Sequence, residues 1–523
     1  MFSKEQIEDI RCDKELAQFD VKSKKQDIES KVKVVPLKVS KLWIQMGIGF
    51  VTIVKATIGT GILFAPHVIV KSGYGISLWL LVFYWLLNVI CTYLLFRCAD
   101  IVNDTYPIIA SSAFGILGRI VADISMIMTE ISFCAVTVTF VTKTIQDVIA
   151  GIHNCLPAYI NYGTELITFL QLIIYIPLVC FGRLQSLGPA TFVANIALLI
   201  GFVIVFVYAV ISLVSHIQSG LLYYIPTYTN PESIANFTGI AAFLWVSGPV
   251  ALSYYVSLID IHAKNIFVWI YLGSVSFSFL CTLLFVFVTA YAYGENSLST
   301  IILNLPVTPV AIAGQLLYVT SVILSFPLML FPVKEIVTEY INLIVRRIYR
   351  SKIVEFTFPE EQVSANPSLF NVNSIVSTSI PVSLVSVNTD MFKPKSEVML
   401  RWPSGSLCIS IKQNKWLDIL IRISPSLVMI LVSILCCVLG YVLIDSLGNF
   451  VNLVGGIFCV PISIILPAIF HLALYRRLTN ILIILMDIFI IIIGLLTSAV
   501  VIWYSITNWS TSSENLCDIK KFS

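Results

Sequence analysis

The chain is 523 residues long, 58% hydrophobic and only 12% charged, with a mean hydropathy of +0.93. That balance lies far outside soluble globular composition and marks a polytopic protein whose main partner is the lipid bilayer. The net charge of +3 is too small an excess for a nucleic-acid surface, so no nucleic-acid partner is expected.

The first 43 residues are polar and of mixed charge, with nine Lys or Arg among the first forty. They lack the short basic stub and apolar core of a cleavable signal, and read as a cytosolic N-terminal tail. About eleven apolar runs follow, each near the roughly 20 residues that cross a hydrocarbon core. They lie near Ile44 to Val70, Ile76 to Phe96, Ile120 to Ile149, Thr168 to Phe181, Thr191 to Leu213, Phe237 to Leu258, Val268 to Tyr291, Ile312 to Phe331, Leu417 to Leu443, Val451 to Leu474 and Ile481 to Ser505. The transmembrane core is thus 44–345 and 416–505, split by a Ser-, Val-, Asn- and Pro-rich cytosolic insertion at 346–415. Its composition fits poorly ordered chain or a small β-rich element. Arg97, Arg119, Arg183, Lys264, Arg346, Arg347, Arg350, Lys352, Arg476 and Arg477 fall in loops on one side, which the positive-inside rule makes cytosolic. An odd number of spans places the tail 506–523 outside. There Asn508 opens an acceptor sequence for glycosylation, and Asn236 opens another. A disulfide between Cys155 and Cys517, both on the outer side, is one expectation among others for these cysteines.

Two spans carry helix breakers at their centres. The first holds Gly59-Thr60-Gly61 and Pro66; the sixth holds Ser247-Gly248-Pro249 between Phe243, Trp245, Tyr254 and Tyr255. Broken helices five spans apart are what an inverted five-plus-five repeat produces, with substrate held at mid-membrane between them. Gly and Pro also kink membrane helices that bind nothing, and for either span alone the two readings stand level.

A helix that restarts at mid-membrane aims free N–H groups and its positive dipole end at the break, while the half before it presents free carbonyls. Around Thr57, Gly59, Thr60, Gly61 and Ile62 such N–H groups fit a carboxylate. Carbonyls near Val246, Ser247 and Gly248 fit an ammonium. A carboxylate and an amine a few Å apart are common to α-amino acids, and Phe243, Trp245 and Tyr254 would face the side chain, favouring small to medium neutral ones. Lys55 lies about eleven residues into its span, roughly 16 Å by helical rise, too deep to snorkel with ease. Glu130 is a candidate partner, with Asp123 and Ser325 as further polar groups. Either Lys55 supplies a tethered or titratable positive charge in place of a coupling ion, or it forms a structural pair with Glu130. Five histidines, no His-Glu-x-x-His and no Gly-x-Gly-Asp leave few groups for enzyme chemistry, so no enzyme, metal site or cofactor is expected.

The run Val54-Lys55-Ala56-Thr57-Ile58-Gly59-Thr60-Gly61-Ile62-Leu63-Phe64-Ala65-Pro66, followed by Lys71-Ser72-Gly73, resembles the signature of the amino acid/auxin permease family, in its proton-coupled and vacuolar branch. Further likeness runs through Gly118-Arg119 to Val148 with Phe133-Cys134, through Phe243, Val246, Pro249 and Leu252, and through Pro332, Glu335 and Ile336. It ends with Trp416, Asp418 and Arg422. The resemblance implies an all-α integral membrane fold of eleven helices, of the leucine-transporter type with helices 1 and 6 broken. It also implies secondary amino acid transport by alternating access, driven by protons or sodium. Lys55 stands where sodium-coupled relatives carry asparagine, which favours proton coupling or facilitated movement over sodium. Val246 replaces the acidic residue of proton-coupled relatives, the outer-loop cysteine that some relatives pair near Cys155 is missing from Ser215 to Asn236, and the insertion is not shared. A sensor that binds amino acids in the same pocket and signals with little flux is the competing reading. Plasma membrane and vacuolar or lysosomal membrane remain equal alternatives.

Overall fold

A computed structural model describes residues 39–152, 157–180, 188–220, 225–227, 231–354, 397–402, 405–410, 415–476 and 480–509. Among them eleven helices are long and apolar enough to cross a membrane. The first span comprises α1 (Val39–Thr57), a 3-10 turn (Thr60–Leu63) and α2 (Ala65–Ser72). The second is α3 (Tyr74–Val102), the third α4 (Tyr106–Ile152), and the fourth α5 (Pro157–Leu170) with α6 (Leu172–Cys180). The fifth is α7 (Gly188–Gln218), the sixth α8 (Pro231–Leu244) and α9 (Gly248–Ser257), the seventh α10 (Ile261–Tyr293). The eighth is α11 (Pro309–Met329), continued after Leu330 by α12 (Phe331–Val354). A two-stranded antiparallel hairpin, β1 (Glu397–Trp402) and β2 (Gly405–Ser410), falls within the insertion, Glu397 opposite Ser410. The ninth span is α13 (Lys415–Val442). The tenth runs from α14 (Leu447–Val454) through two π-helical turns (Gly455–Cys459 and Pro461–Ile465) into α15 (Leu466–Tyr475), and the eleventh is α16 (Ile481–Thr507).

The all-helical architecture and both interrupted spans agree with the sequence reading. In each interrupted span a proline sits at the second position of the restarting helix, Pro66 in α2 and Pro249 in α9. The missing N–H costs nothing in a first turn. Some boundaries differ. The helix of the fourth span extends back to Pro157, and its membrane-crossing part begins near Gly163, earlier than the apolar run shows because Thr164 and Glu165 interrupt the hydropathy. Gln171, between α5 and α6, is buried yet satisfied, donating to Thr142 Oγ1 at 2.9 Å and accepting from Tyr175 at 2.9 Å. The third helix begins at Tyr106 and bends at Phe114 and Gly115, where φ is +66° at the glycine. Cys155 and Cys517, with both tails beyond 39–509, lie outside the described residues.

Apolar burial gives little drive between helices already surrounded by lipid, so close backbone approach does much of the joining. The sixth and tenth spans meet most tightly. A Cβ on Gly455 would lie 1.9 Å from the carbonyl oxygen of Gly239, and one on Gly239 would lie 2.2 Å from that of Asn452.

Candidate functional site

A cavity of about 460 Å³ lies between the two interrupted helices. Its wall is built from Val51, Thr52, Lys55, Ala56, Thr57, Gly59, Thr60 and Gly61 of the first span and Phe243, Leu244, Val246, Pro249 and Val250 of the sixth. Met126, Thr129, Glu130 and Phe133 close it from the third span, Thr191 and Asn195 from the fifth, and Ser325, Leu328, Met329 and Pro332 from the eighth, with Ile462 of the tenth beneath. Spans cross in alternation, so these residues stand at the two breaks or on the side where α1 begins. On the other side the structure is filled. Ile62, Leu63, Phe64 and Ala65 are buried, and so are Ile301, Ile302 and Leu303 of the loop before the eighth span. That loop is pinned by Gln315, whose Nε2 donates to Asp147 Oδ2 and to the Ile302 carbonyl, both at 2.9 Å, and by Asn304, which bonds the backbone of Leu298 and Asn296.

The break in the first span has its own supports. Thr57 donates its hydroxyl to Ser278 Oγ of the seventh span at 2.7 Å, and Tyr318 of the eighth donates to the Gly59 carbonyl at 3.2 Å. At Gly61 a Cβ would meet the Phe243 ring at 2.9 Å, so glycine lets the two interrupted helices touch. Phe243 in turn packs edge-on against Phe133, centroids 4.9 Å apart, which gives the cavity an aromatic corner.

Of the residues expected from sequence, Thr57, Gly59, Thr60, Gly61, Phe243, Val246, Lys55, Glu130 and Ser325 line this cavity. Ile62, Trp245, Ser247 and Gly248 stand outside it. Ile62 is packed in the core; Trp245 turns toward Phe279, centroids 6.0 Å apart; Tyr254, also expected at the substrate, donates to the Gln45 carbonyl instead. Ser247 turns to a buried polar cluster, accepting from Asn88 at 3.0 Å and sharing a hydrogen bond with the Tyr271 hydroxyl at 3.1 Å, while Tyr271 donates to Thr92 at 2.9 Å. Gly248 faces the same cluster, its missing Cβ 3.3 Å from Thr92 Oγ1.

The Lys55 to Glu130 ion pair, one of the two alternatives read from the sequence, is not formed. The Lys55 ammonium is buried with no hydrogen-bond partner, and Glu130 shares the cavity wall without reaching it. Asp123 is engaged elsewhere, accepting from Tyr340 at 2.7 Å and lying 3.6 Å from Arg119. Ser325 donates to the Ser321 carbonyl of its own helix. Asn236 sits inside α8 with its amide oxygen buried, whereas Asn508 caps the end of α16.

Sequence reasoning missed Asn195, whose side-chain oxygen is buried without a partner in the cavity wall, and the Asn88 and Tyr271 cluster. Both were readable in principle, since a lone amide in an otherwise apolar span is costly unless used. Asn88→Leu is expected to cost about 1 to 2 kcal/mol, because Ser247 and Tyr271 lose a buried partner. Thermal unfolding in detergent checks this, and an unchanged midpoint would mean the cluster does not brace the break.

Fold and cavity together define a multispan helical membrane protein with a solute-sized space between two interrupted helices. The model of the family described as transmembrane amino acid transporter protein matches residues 44–507, and the chain belongs to that family, one of transporters rather than enzymes. It is similar to vacuolar amino acid transporter 4 of Saccharomyces cerevisiae, 25% identical over 441 residues, covering 81% of this chain and 52% of that protein. It is also similar to vacuolar amino acid transporter 3 of the same yeast, 23% identical over 467 residues and covering 88% and 56%. The chain therefore spans about half the length of the curated relatives it matches. Among solved structures it is similar to a manganese transporter of Eremococcus coleocola, with a TM-score of 0.47, 14% identity and 93% of each chain covered.

Proposed function

We propose that this protein is a secondary transporter that moves neutral amino acids across a vacuolar or related membrane by alternating access. The carrying observation is the cavity of about 460 Å³ at the meeting point of two helix breaks, within the roughly 300 to 1,000 Å³ usual for small-molecule sites. The substrate carboxylate would take the N–H groups at Gly59, Thr60 and Gly61, where the two glycines flanking Thr60 allow close approach. Its side chain would lie toward Phe133 and Phe243. The unpartnered Lys55 ammonium occupies the wall where a metal cation would be repelled, which favours protons or no coupling ion over sodium. Names of the yeast relatives support the vacuolar location and the amino acid cargo.

The test is uptake of labelled amino acids into sodium-free liposomes holding the purified protein, with and without a proton gradient. Accumulation above equilibrium only with the gradient is the expected result for coupling, and equilibration alone for a facilitator. Saturable binding without flux would overturn transport and leave a sensor in its place.

A further inference from the structure

His471 and Asp487 do not line the cavity and have no part in the function proposed above. His471 Nδ1 stands 2.7 Å from Asp487 Oδ2, across the interface between α15 and α16, with both residues almost fully buried. The second oxygen, Asp487 Oδ1, is buried with no hydrogen-bond partner. α16 is otherwise one of the most apolar helices of the chain and packs only one narrow face against the protein. An ionisable pair there is expensive to keep for packing alone.

The surroundings decide what the pair can hold. From the second span Cys91 and Cys98 lie close enough to feel the Asp487 charge, and from the third helix Tyr106 stands beside those thiols. Tyr475 stacks on the imidazole, centroids 4.7 Å apart, with Arg97 over its outer face at 5.7 Å to the ring centroid and Asp100 nearby. α8 brings only Glu232, at its far end beside Tyr504, and the π-helical turns bring only Cys459. Among the described residues no Lys or Arg forms an ion pair with His471 or Asp487. With one proton, imidazole and carboxylate together are neutral, as an ion pair or as two neutral groups sharing the proton. Without it a lone negative charge is left in an apolar interface, with one oxygen already unsatisfied. A proton shared by the two side chains is shielded from solvent by this burial, and its exchange requires the interface to open to water.

Two features tie that opening to the cavity. α15 ends at Tyr475, one turn beyond His471, so the pair lies near that end of the tenth span, with the Tyr475 ring stacked on the imidazole. The same span carries Ile462 in the cavity wall, nine residues before His471 or roughly 14 Å along the axis, and Ile462 itself lies in the second π-helical turn, a geometry frequent at functional sites. Tyr106 donates to the Ile462 carbonyl at 2.8 Å, coupling the third helix to that point.

We propose that His471 and Asp487 form a proton-binding site separate from the substrate cavity, loaded and unloaded as the tenth span shifts against the eleventh, so that protonation there sets the rate of transport. The inference rests on the transport reading, and its test separates the two. Uptake is measured between about pH 5.5 and 8.5, equal on both sides, the interval in which histidine sites exchange protons, for the wild type, His471→Gln, Asp487→Asn and the double variant. The wild-type rate is expected to change roughly tenfold across the interval and the double variant less than about twofold, with KM unchanged. A variant that transports with the wild-type pH profile overturns the site. Should the variants not fold, 15N-histidine NMR of the wild type decides, since the chain has only five histidines. A buried imidazole that changes protonation within the interval supports the site, and one that keeps a single form throughout overturns it. Titration without flux at any pH would overturn transport and leave the proton site standing.

Discussion

Replacing Lys55 by methionine is expected to raise the thermal stability of the protein while lowering its transport rate at least tenfold. The side chain lies in the cavity wall with its ammonium buried and without a hydrogen-bond partner. An unsatisfied buried polar group costs about 1 to 3 kcal/mol, and more when charged. Methionine keeps the length and the apolar stem contacts and removes that cost, so the unfolding midpoint in detergent should rise. The transport loss follows if the fixed charge orients substrate or fills the place of a coupling ion. The opposite signs of the two readouts make the result informative. A structural lysine would show the reverse, a fall in stability with uptake retained in what remains folded. Unchanged uptake together with raised stability would remove Lys55 from the transport reading altogether.

The second large effect concerns the crossing of the sixth and tenth spans. Gly455→Ala places a methyl group 1.9 Å from the Gly239 carbonyl oxygen, a distance that no side-chain rotation relieves because the obstacle is backbone. The helices must part. The shift would also disturb Asn452, whose Nδ2 donates to Ser505 of the eleventh span at 3.3 Å, and Ser498, which donates to the Gly456 carbonyl at 2.8 Å. Overpacking of this kind costs about 1 to 3 kcal/mol and at times more. The expected outcome is a sharp drop in monodisperse protein on size exclusion and a lower unfolding midpoint in any that survives. Gly448→Ala is the control, because a Cβ there meets nothing within 4 Å. Equal behaviour of the two variants would show that the crossing tolerates separation.

The breaks were legible in the sequence because they rest on covalent facts. Gly59-Thr60-Gly61 and Gly248-Pro249 cannot continue a helix cheaply wherever they are placed. Which side chains face the cavity was only half legible. Within a helix a residue's direction follows from its position in the 3.6-residue turn, but an unwound stretch resets that phase by an angle that only tertiary contacts fix. So Phe243 and Val246 enter the cavity, while Trp245 turns to Phe279 and Ser247 to Asn88 and Tyr271. The Lys55 to Glu130 pairing failed for a related reason. Two central charges in neighbouring spans were close in depth, and depth alone does not bring side chains together. Hydropathy likewise lost the start of the fourth span, where polar residues such as Thr164 and Glu165 lie within a helix.

The one-sided filling around the cavity bears on how the protein would be inhibited. The wall residues all stand at the breaks or toward the side where α1 begins, while Ile301, Ile302 and Leu303 seal the opposite face. A compound shaped to this space therefore recognises one conformer, and its apparent affinity scales with how much of the protein occupies that conformer. Such a compound would compete with substrate arriving from the open face, yet reduce maximal velocity without altering apparent affinity for substrate arriving from the sealed one. Sidedness of inhibition would report the resting orientation of the carrier.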